Sequence, residues 1–337
     1  MIDSNRCHGR DIMITQLQVY ISEGTDPYEN LAIEQELFNT TPADCCTLYL
    51  WQNANTVVIG RNQNAWAECQ CALLEQEGGK LARRPSGGGA VFHDLGNLNF
   101  TFLCATEHYN VEKQLSVIQT ACRLAGIKAE LSGRNDIVAQ GRKFSGNAFY
   151  NAKGKSLHHG TILVTADRER IGRYLTPSRA KLRTKSVKSV KSRVINLSEL
   201  CKDLTCDTMK QHMLTAFEQI YGLSVTYRQS LNTQRIAALA SSFADWNYRY
   251  GSPIPLSVSA KDRFSWGEIE IQIDVKDGII RTAKVYTDSM DWSLSSQIEN
   301  ALSGRLLKPD VIRDALASIL TPSLAEDVNS LIQAQIL

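Results

Sequence analysis

The chain has 337 residues, 43% of them hydrophobic and 21% charged, with a formal net charge of +2. That is ordinary globular composition, long enough for two domains and too nearly neutral for general nucleic-acid or membrane-surface binding. No run approaches the roughly 18 apolar residues of a membrane helix, so the expectation is a cytoplasmic monomer that binds neither nucleic acid nor membrane. Charge is unevenly spread. From Ala240 onward 13 Asp and Glu face 9 Lys and Arg, which leaves the larger part mildly basic.

The first twelve residues mix Asp3, Arg6, His8, Arg10 and Asp11 without an apolar core. They read as a short leader or an over-long start before Met13, not as a secretory signal. Nine cysteines with no CxxC pair read as reduced, mostly buried thiols.

In chain order, Asp26-Pro27-Tyr28-Glu29 opens a helix that runs to about Thr40: a capping side chain, proline at the first helical position, and Glu29 to close the box. "TLYLW" (47–51) and "TVVIG" (56–60) are strand-like and joined by the turn former Asn53-Ala54-Asn55. "KLARR" and "LNFTFL" flank a glycine run, and a helix from about Val111 to Ala125 stops at Gly126. "DIVAQ", "RKFSGNAFY" and "LHHGTILVT" follow as a β-meander, turning at Gln140-Gly141 and at Asn151 to Gly154. Helices are expected near 167–175 and 206–221. "RYGSPIP" (249–255) breaks regular structure where the charge balance shifts. "EIEIQIDV" then alternates strictly and turns at Asp277-Gly278 into "IIRTAKVYT", before helices begun near Ser293, Pro309 and Pro322.

Chemistry concentrates in "RRPSGGGAVFHDLGN" (83–97). Gly87, Gly88 and Gly89 let a ligand approach the main chain, where successive N–H groups form an anion nest. Arg83 and Arg84 add donors suited to phosphate or carboxylate. No Lys-Ser/Thr follows and the glycines precede a strand, so this is neither a P-loop nor a dinucleotide fingerprint. A bare surface turn is the bland alternative. Lys143 lies in a strand pattern that puts Phe144 on the opposite face, and Gly146 thins the sheet beside it. Asn135-Asp136 lies at the entry to the preceding strand and reads first as a structural turn. His158 and His159 point to opposite faces and cannot share one ion. Lys181, Arg183, Lys185, Lys188, Lys191 and Arg193 form a basic run with no acid among them. It reads as a solvated face, as a loop closing on an anion, or as a docking strip for an acidic partner.

Together, "DPYENLAIEQELF" (26–38), "LWQNANTVVIGRNQNAWAEC" (50–69), "ARRPSGGGAVFHDLGNLNFTF" (82–102), "GRNDIV" (133–138), "GRKFSGNAFY" (141–150), "HHGTILV" (158–164) and "SVKSRVINL" (189–197) resemble the bacterial lipoate–protein ligase A family. "RFSWGEIEIQIDVKDGIIRTAKVYTDS" (263–289) resembles that family's accessory domain. The resemblance implies an α+β fold: a catalytic domain built on a large mixed sheet of the biotin/lipoate ligase type, with a small α+β C-terminal domain. The division would be 1–12 leader, 13–248 catalytic, 249–262 linker and 263–337 accessory. It implies ATP as co-substrate with Mg2+, activation of lipoate or octanoate to the acyl-AMP, and transfer to a lysine of acidic carrier domains of 2-oxoacid dehydrogenase complexes and the glycine cleavage system. Lys143 and Asp136 would be catalytic. Arg83, Arg84, Gly87, Gly88, Gly89, Ala90, Val91, Phe92, Asn135 and Lys143 would hold ATP and the adenylate. Lys143, His93, Gly146, His159 and Gly160 would hold lipoate, with Asp136 available to Mg2+ and Lys181, Lys185 and Arg193 in an adenylate loop. The main rival is an ATP-independent acyltransferase of the same superfamily, which forms a thioester on cysteine. Here no Cys lies between Cys122 and Cys201, and Cys104 is the nearest candidate. A biotin ligase and a non-catalytic binding module are weaker alternatives.

Overall fold

The computed structural model describes residues 13–133, 135–176, 194–251 and 257–336. The elements of the larger domain run β1 (Gln16–Ile21), α1 (Pro27–Thr40), β2 (Cys45–Trp51), β3 (Thr56–Ile59), α2 (Ala65–Glu68), α3 (Cys71–Gln76), β4 (Lys80–Arg83), β5 (Val91–His93) and β6 (Asn97–Ala105). They continue with α4 (Val111–Leu124), β7 (Glu130–Ser132), β8 (Asp136–Ala139), β9 (Arg142–Ala152), β10 (Lys155–Leu163), α5 (Arg168–Tyr174), α6 (Cys206–Tyr221), β11 (Val225–Tyr227), α7 (Thr233–Ala244) and α8 (Trp246–Tyr250). The smaller domain holds β12 (Val258–Phe264), β13 (Gly267–Lys276), β14 (Ile279–Thr287), α9 (Leu294–Leu302), α10 (Pro309–Ala317) and α11 (Pro322–Gln335).

Asp26 caps α1 by accepting from Tyr28 N at 2.9 Å and Glu29 N at 3.1 Å. The meander closes at two tight turns whose residues take the left-handed conformation, Gln140-Gly141 and Lys153-Gly154. Its strands form one half of a mixed eight-stranded sheet, ordered β11-β1-β2-β6-β10-β9-β8-β7, with β1 parallel to both β2 and β11. Helices cover both faces of the sheet centre, which explains why every residue of β2 and β6 is buried. On one face Leu48, Leu50, Phe100 and Phe102 pack with Val117 of α4 and Phe217 of α6. On the other, Tyr49 and Trp51 pack with Leu31 and Phe38 of α1 and Phe243 of α7.

The run at 56–60 departs from a simple hairpin. β3 does not pair with β2; it leaves the large sheet at Asn55, whose φ is 38°, and joins a separate sheet ordered β4-β3-β5. That second sheet carries Arg83 at the end of β4, so the glycine run bridges β4 and β5 across the open face of the large sheet. Part of the expected linker is also structured: β12 begins at Val258 and pairs along β13.

In the small domain Ile269, Ile271 and Ile273, the alternating residues of β13, bury against Leu294, Ile298, Ile312 and Val328 of its helices. The domain docks directly on the glycine run. Gly88 N donates to Ser289 O at 3.0 Å, Thr287 N to Asn62 O at 2.9 Å, and Asn62 Nδ2 to Trp292 O at 2.8 Å. A Cβ at Gly87 would lie 2.4 Å from Ser289 O, whereas one at Gly89 would meet nothing within 4 Å. Gly87→Ala is therefore expected to cost about 1–3 kcal/mol of stability as backbone is forced from backbone. Gly89→Ala should stay within about 0.5 kcal/mol. Urea unfolding of the two variants checks the contrast, and equal midpoints would contradict it.

Candidate active site

Where the glycine run crosses the sheet it roofs a cavity of about 250 Å³. The floor follows from strand pairing. Trp51 on β2 pairs with Asn99 on β6, Asn99 with Thr161 on β10, and Gly146 with Asp136 on β8. Gly146 N on β9 donates to Thr161 Oγ1 at 3.3 Å, closing the row. Residues opposite each other share a face, so this row runs straight across five strands beneath the glycine loop.

Lys143 reaches that floor only because β9 is irregular. With strict alternation, 143 and 146 would face opposite ways. The register shifts between Ile137 and Val138: Ser145 pairs with Ile137, but Lys143, not Phe144, pairs with Val138. The extra residue is a β-bulge, and it sends Phe144 into the core while turning Lys143 onto the face of Gly146 and Asp136. Lys143 Nζ then lies 2.7 Å from Asp136 Oδ1. A Cβ at Gly146 would come within 3.0 Å of Lys143 Nζ, so this glycine is the slot in which the ammonium lies. Gly160 is bare for another reason: a Cβ there would strike Gly146 O and the Phe100 ring, each at 2.6 Å.

The two arginines separate in role. Arg84 lines the cavity and holds the loop's shape, donating through Nη2 to Gly87 O and Gly89 O, each at 2.8 Å, and through Nε to Ser86 Oγ at 3.1 Å. Burial pulls its guanidinium down to about 10, with Glu34 opposing that fall. Arg83 does not line the cavity. Its donors go to the carbonyls of Gly60, Arg61, Gln63, Tyr248 and Arg249, so it ties β4 to α8.

Behind Arg84 runs a buried chain of polar contacts. Ser86 Oγ is 2.7 Å from His159 Nε2, and His159 Nδ1 is 2.9 Å from Glu34 Oε1. Thr101 Oγ1 donates to the same Glu34 oxygen at 2.7 Å and accepts from Trp51 Nε1 at 3.1 Å. Ser86 is fully buried and outside the cavity wall, so this serine–histidine–glutamate string braces the loop instead of presenting a nucleophile. His158 turns to the opposite face, between Gln114 Oε1 at 3.0 Å and Asn147 Oδ1 at 2.8 Å.

Of the residues singled out in the sequence, Gly88, Gly89, Ala90, Val91, His93, Asn135, Lys143, Gly146, His159 and Gly160 line the cavity, as Arg84 does. Gly87 packs on the small domain, Phe92 is buried against Tyr174, and Asp136 touches the site through Lys143. Lys181, Lys185 and Arg193 lie outside the described residues. The chain after them returns to the site, for Val194 bridges to Lys143 and Ile195 N donates to Lys143 O at 2.9 Å. Sequence reasoning missed Trp51, Asn99, Thr161 and Asn147 in the wall, and Glu34 behind it. For Glu34 a signal existed, a carboxylate between apolar neighbours on the inner face of α1. Among the described residues no three His, Cys, Asp or Glu side chains gather as a metal cluster, and no helix is long and apolar enough to cross a membrane.

The chain was compared with known proteins. Residues 26–218 match the lipoyl protein ligase A/B catalytic domain, and 255–332 the bacterial lipoate protein ligase C-terminus. It is 39% identical over 299 residues to a lipoate-protein ligase A of Psychrobacter cryohalolentis, covering 86% of this chain and 88% of that one. In three dimensions it is similar to P. falciparum LipL1, solved in complex with lipoate, at a TM-score of 0.82 and 27% identity over 95% of this chain and 99% of that one. A lipoate-protein ligase A bound with ATP shares the fold, at a TM-score of 0.60 and 24% identity over 71% of this chain and 99% of that one. The chain belongs to the lipoate–protein ligase family.

Burial holds the imidazoles of His93 and His158 down to about 3, with Arg84 and His159 adding to the effect at His93 and His159 at His158. An unfolded chain binds protons at both with a pKa of about 6.5. Their contribution is therefore complete above about pH 6.5 and is lost as pH falls toward 3. Urea midpoints should drop between pH 7 and pH 5; midpoints that stay constant would contradict neutral buried rings.

Proposed function

We propose that this chain is an ATP-dependent lipoate–protein ligase whose two half-reactions share the cavity under the glycine loop. In the first, a carboxylate oxygen of lipoate attacks the α-phosphorus of ATP, the acyl-phosphate anhydride bond forms, and pyrophosphate leaves. In the second, a neutral lysine amine of a carrier domain attacks the acyl carbon, an amide forms, AMP leaves, and the amine's proton passes to a base. The observation that carries this reading is the bulge at Phe144, which lays the Lys143 ammonium across Gly146 in the cavity that Gly88 to Val91 also line.

Both reactants of the first step are anions. Fixed cations and main-chain N–H groups held in place by the fold offset their repulsion without reorganising. Lys143 supplies the charge at the join, and the amides of Gly89 to Val91 face the nucleotide. Arg84 keeps those amides aimed by anchoring Gly87 O and Gly89 O, and Asn135 braces β9 by donating to Asn147 O at 2.8 Å. The apolar wall of Leu31, Trp51, Val58 and Ala148 shelters the acyl chain and keeps water from the anhydride. Mg2+ fits as a partner of the ATP phosphates with Asp136 as a single protein carboxylate, where it would neutralise phosphate charge. The basic run with Lys181, Lys185 and Arg193 is assigned to closing over the adenylate and to meeting acidic carrier domains of 2-oxoacid dehydrogenase complexes and the glycine cleavage system. A monomeric protein in the cytoplasm is the setting.

An acceptor lysine with a pKa near 10.4 costs roughly 4.6 kcal/mol to deprotonate at pH 7. Lys143 lowers that cost by repelling a second ammonium, and Asp136 is placed to take the proton once Lys143 turns to the adenylate. The transferase alternative needs a thiol in the site. Cys104 is buried on the opposite face of β6 among Phe102 and Phe217, and among the described residues no cysteine lines the cavity.

Mass spectrometry of a lipoyl carrier domain incubated with the protein, ATP, Mg2+ and lipoate tests the reading; modification of its lysine only in the presence of ATP is expected. Acyl transfer from a carrier thioester without ATP would replace this reading with the transferase. Lys143→Ala should slow lipoate-dependent pyrophosphate release about a hundredfold or more, the value of about 3 kcal/mol of transition-state stabilisation. Release at the wild-type rate would remove Lys143 from the chemistry.

A further inference from the structure

With the carboxyl end of the acid fixed at Lys143, the floor row sets where the other end lies. Asn99 stands two strands from Gly146, a distance of about 10 Å, which an extended eight-carbon acyl chain spans. Trp51 closes the row one strand beyond.

That far end is not a plain apolar pocket. Asn99 is 1% exposed and His93 3%, and both line the cavity. The Asn99 carbonyl accepts from Asn97 Nδ2 at 2.9 Å, while its Nδ2 has no partner among the described residues. His93 Nε2 also has none. The tautomer of His93 follows from its neighbours. Ser22 Oγ at 2.7 Å and Tyr49 OH at 3.0 Å both donate to Asn30 Oδ1, so Asn30 Nδ2 is the donor to Asn53 Oδ1, at 3.0 Å. Asn53 Nδ2 then donates to His93 Nδ1 at 3.2 Å, and the ring proton sits on Nε2. A neutral His93 N–H donor and one end of the Asn99 amide therefore stand unmet where the tail of the acid ends. Beside them the Trp51 ring meets His93 edge-on, with centroids 6.1 Å apart.

We propose that Asn99 and His93 select for a sulfur-containing ring at the end of the acyl chain. The inference rests on the ligase reading above and concerns only which acid that site prefers. Dithiolane sulfurs are weak acceptors that meet the His93 N–H, and as polarisable atoms they make favourable contacts with the Trp51 ring beside Asn99. An all-carbon tail displaces water from the same place and leaves both polar groups dry, at a cost of about 1–3 kcal/mol each. A site furnished with donors rejects the analogue that lacks the matching acceptor more strongly than an apolar pocket rejects a change of shape.

The probe that isolates sulfur from shape is 5-cyclopentylpentanoate, which keeps the five-membered ring and the chain length. The measurement is kcat/KM for acid-dependent pyrophosphate release, with lipoate and with the cyclopentyl acid. Wild-type protein should prefer lipoate by about tenfold or more. Asn99→Leu, which matches the side chain in size, should bring the two acids within about threefold of each other, mainly by improving use of the carbon ring. Wild-type protein that uses both acids alike overturns this inference and leaves the ligase reading standing, and no variant needs to fold for that result. Unchanged preference in folded Asn99→Leu also overturns it. Wild-type protein that activates neither acid removes the ligase reading and this inference together.

Discussion

One extra residue in β9 decides which way Lys143 faces. Without the bulge at Phe144, Lys143 would point into the core packed by Val117 and Phe217, where an ammonium has no counter-charge. With it, Lys143 lies over Gly146 and the aromatic ring fills the core position instead. The bulge is held from both sides. β8 pairs across it, and Val194 and Ile195 bind the outer edge of Lys143 itself, so the segment that follows the basic run starts against that lysine. Bulges disrupt a ladder at some cost, and here the cost is offset by placing one cation on the inner face.

The glycine loop is the second half of the device, and its position depends on both domains. From below, the buried string Glu34–His159–Ser86 supports Arg84, which clamps two loop carbonyls. From above, Ser289 O accepts from Gly88 N, and Asn135 Nδ2 lies 3.7 Å from Met290 Sδ. Gly88 N is one of the amides that an anion at the loop would claim, so the small domain occupies a donor belonging to the site. The structure thus ties the seating of the C-terminal domain to the state of the loop through a single hydrogen bond. The acidic smaller domain backs the glycine loop of the larger one without contributing a residue to the cavity wall among the described residues.

Much of this was legible in the chain because local chemistry and global fold agree. Asp26 and Pro27 open α1, Gly222 stops α6, Gln140-Gly141 and Lys153-Gly154 turn the meander, and Asp277-Gly278 turns the last hairpin. Several residues of the cavity wall, Lys143 and Gly88 to Val91 among them, could be picked out as well. What could not be read depends on pairing between distant strands. The departure of β3 into a second sheet, the start of β12 inside the expected linker, and the row from Trp51 through Asn99 to Thr161 are set by register, which no local pattern encodes. Arg83 misled for a different reason. Its neighbour faces the cavity and it cannot, because consecutive strand residues alternate, and its buried guanidinium serves five main-chain carbonyls.

The central claim is that Lys143 leaves Asp136 to bind the acyl–phosphate join beneath the glycine loop. A crystal structure with lipoyl-sulfamoyl-adenosine, a stable mimic of the adenylate, tests it most directly. The account predicts Lys143 Nζ within hydrogen-bonding distance of the acyl carbonyl and the sulfamoyl oxygens, with the dithiolane ring beside Asn99 and Trp51. A mimic bound elsewhere, or bound in this cavity with Lys143 still paired to Asp136, would contradict it.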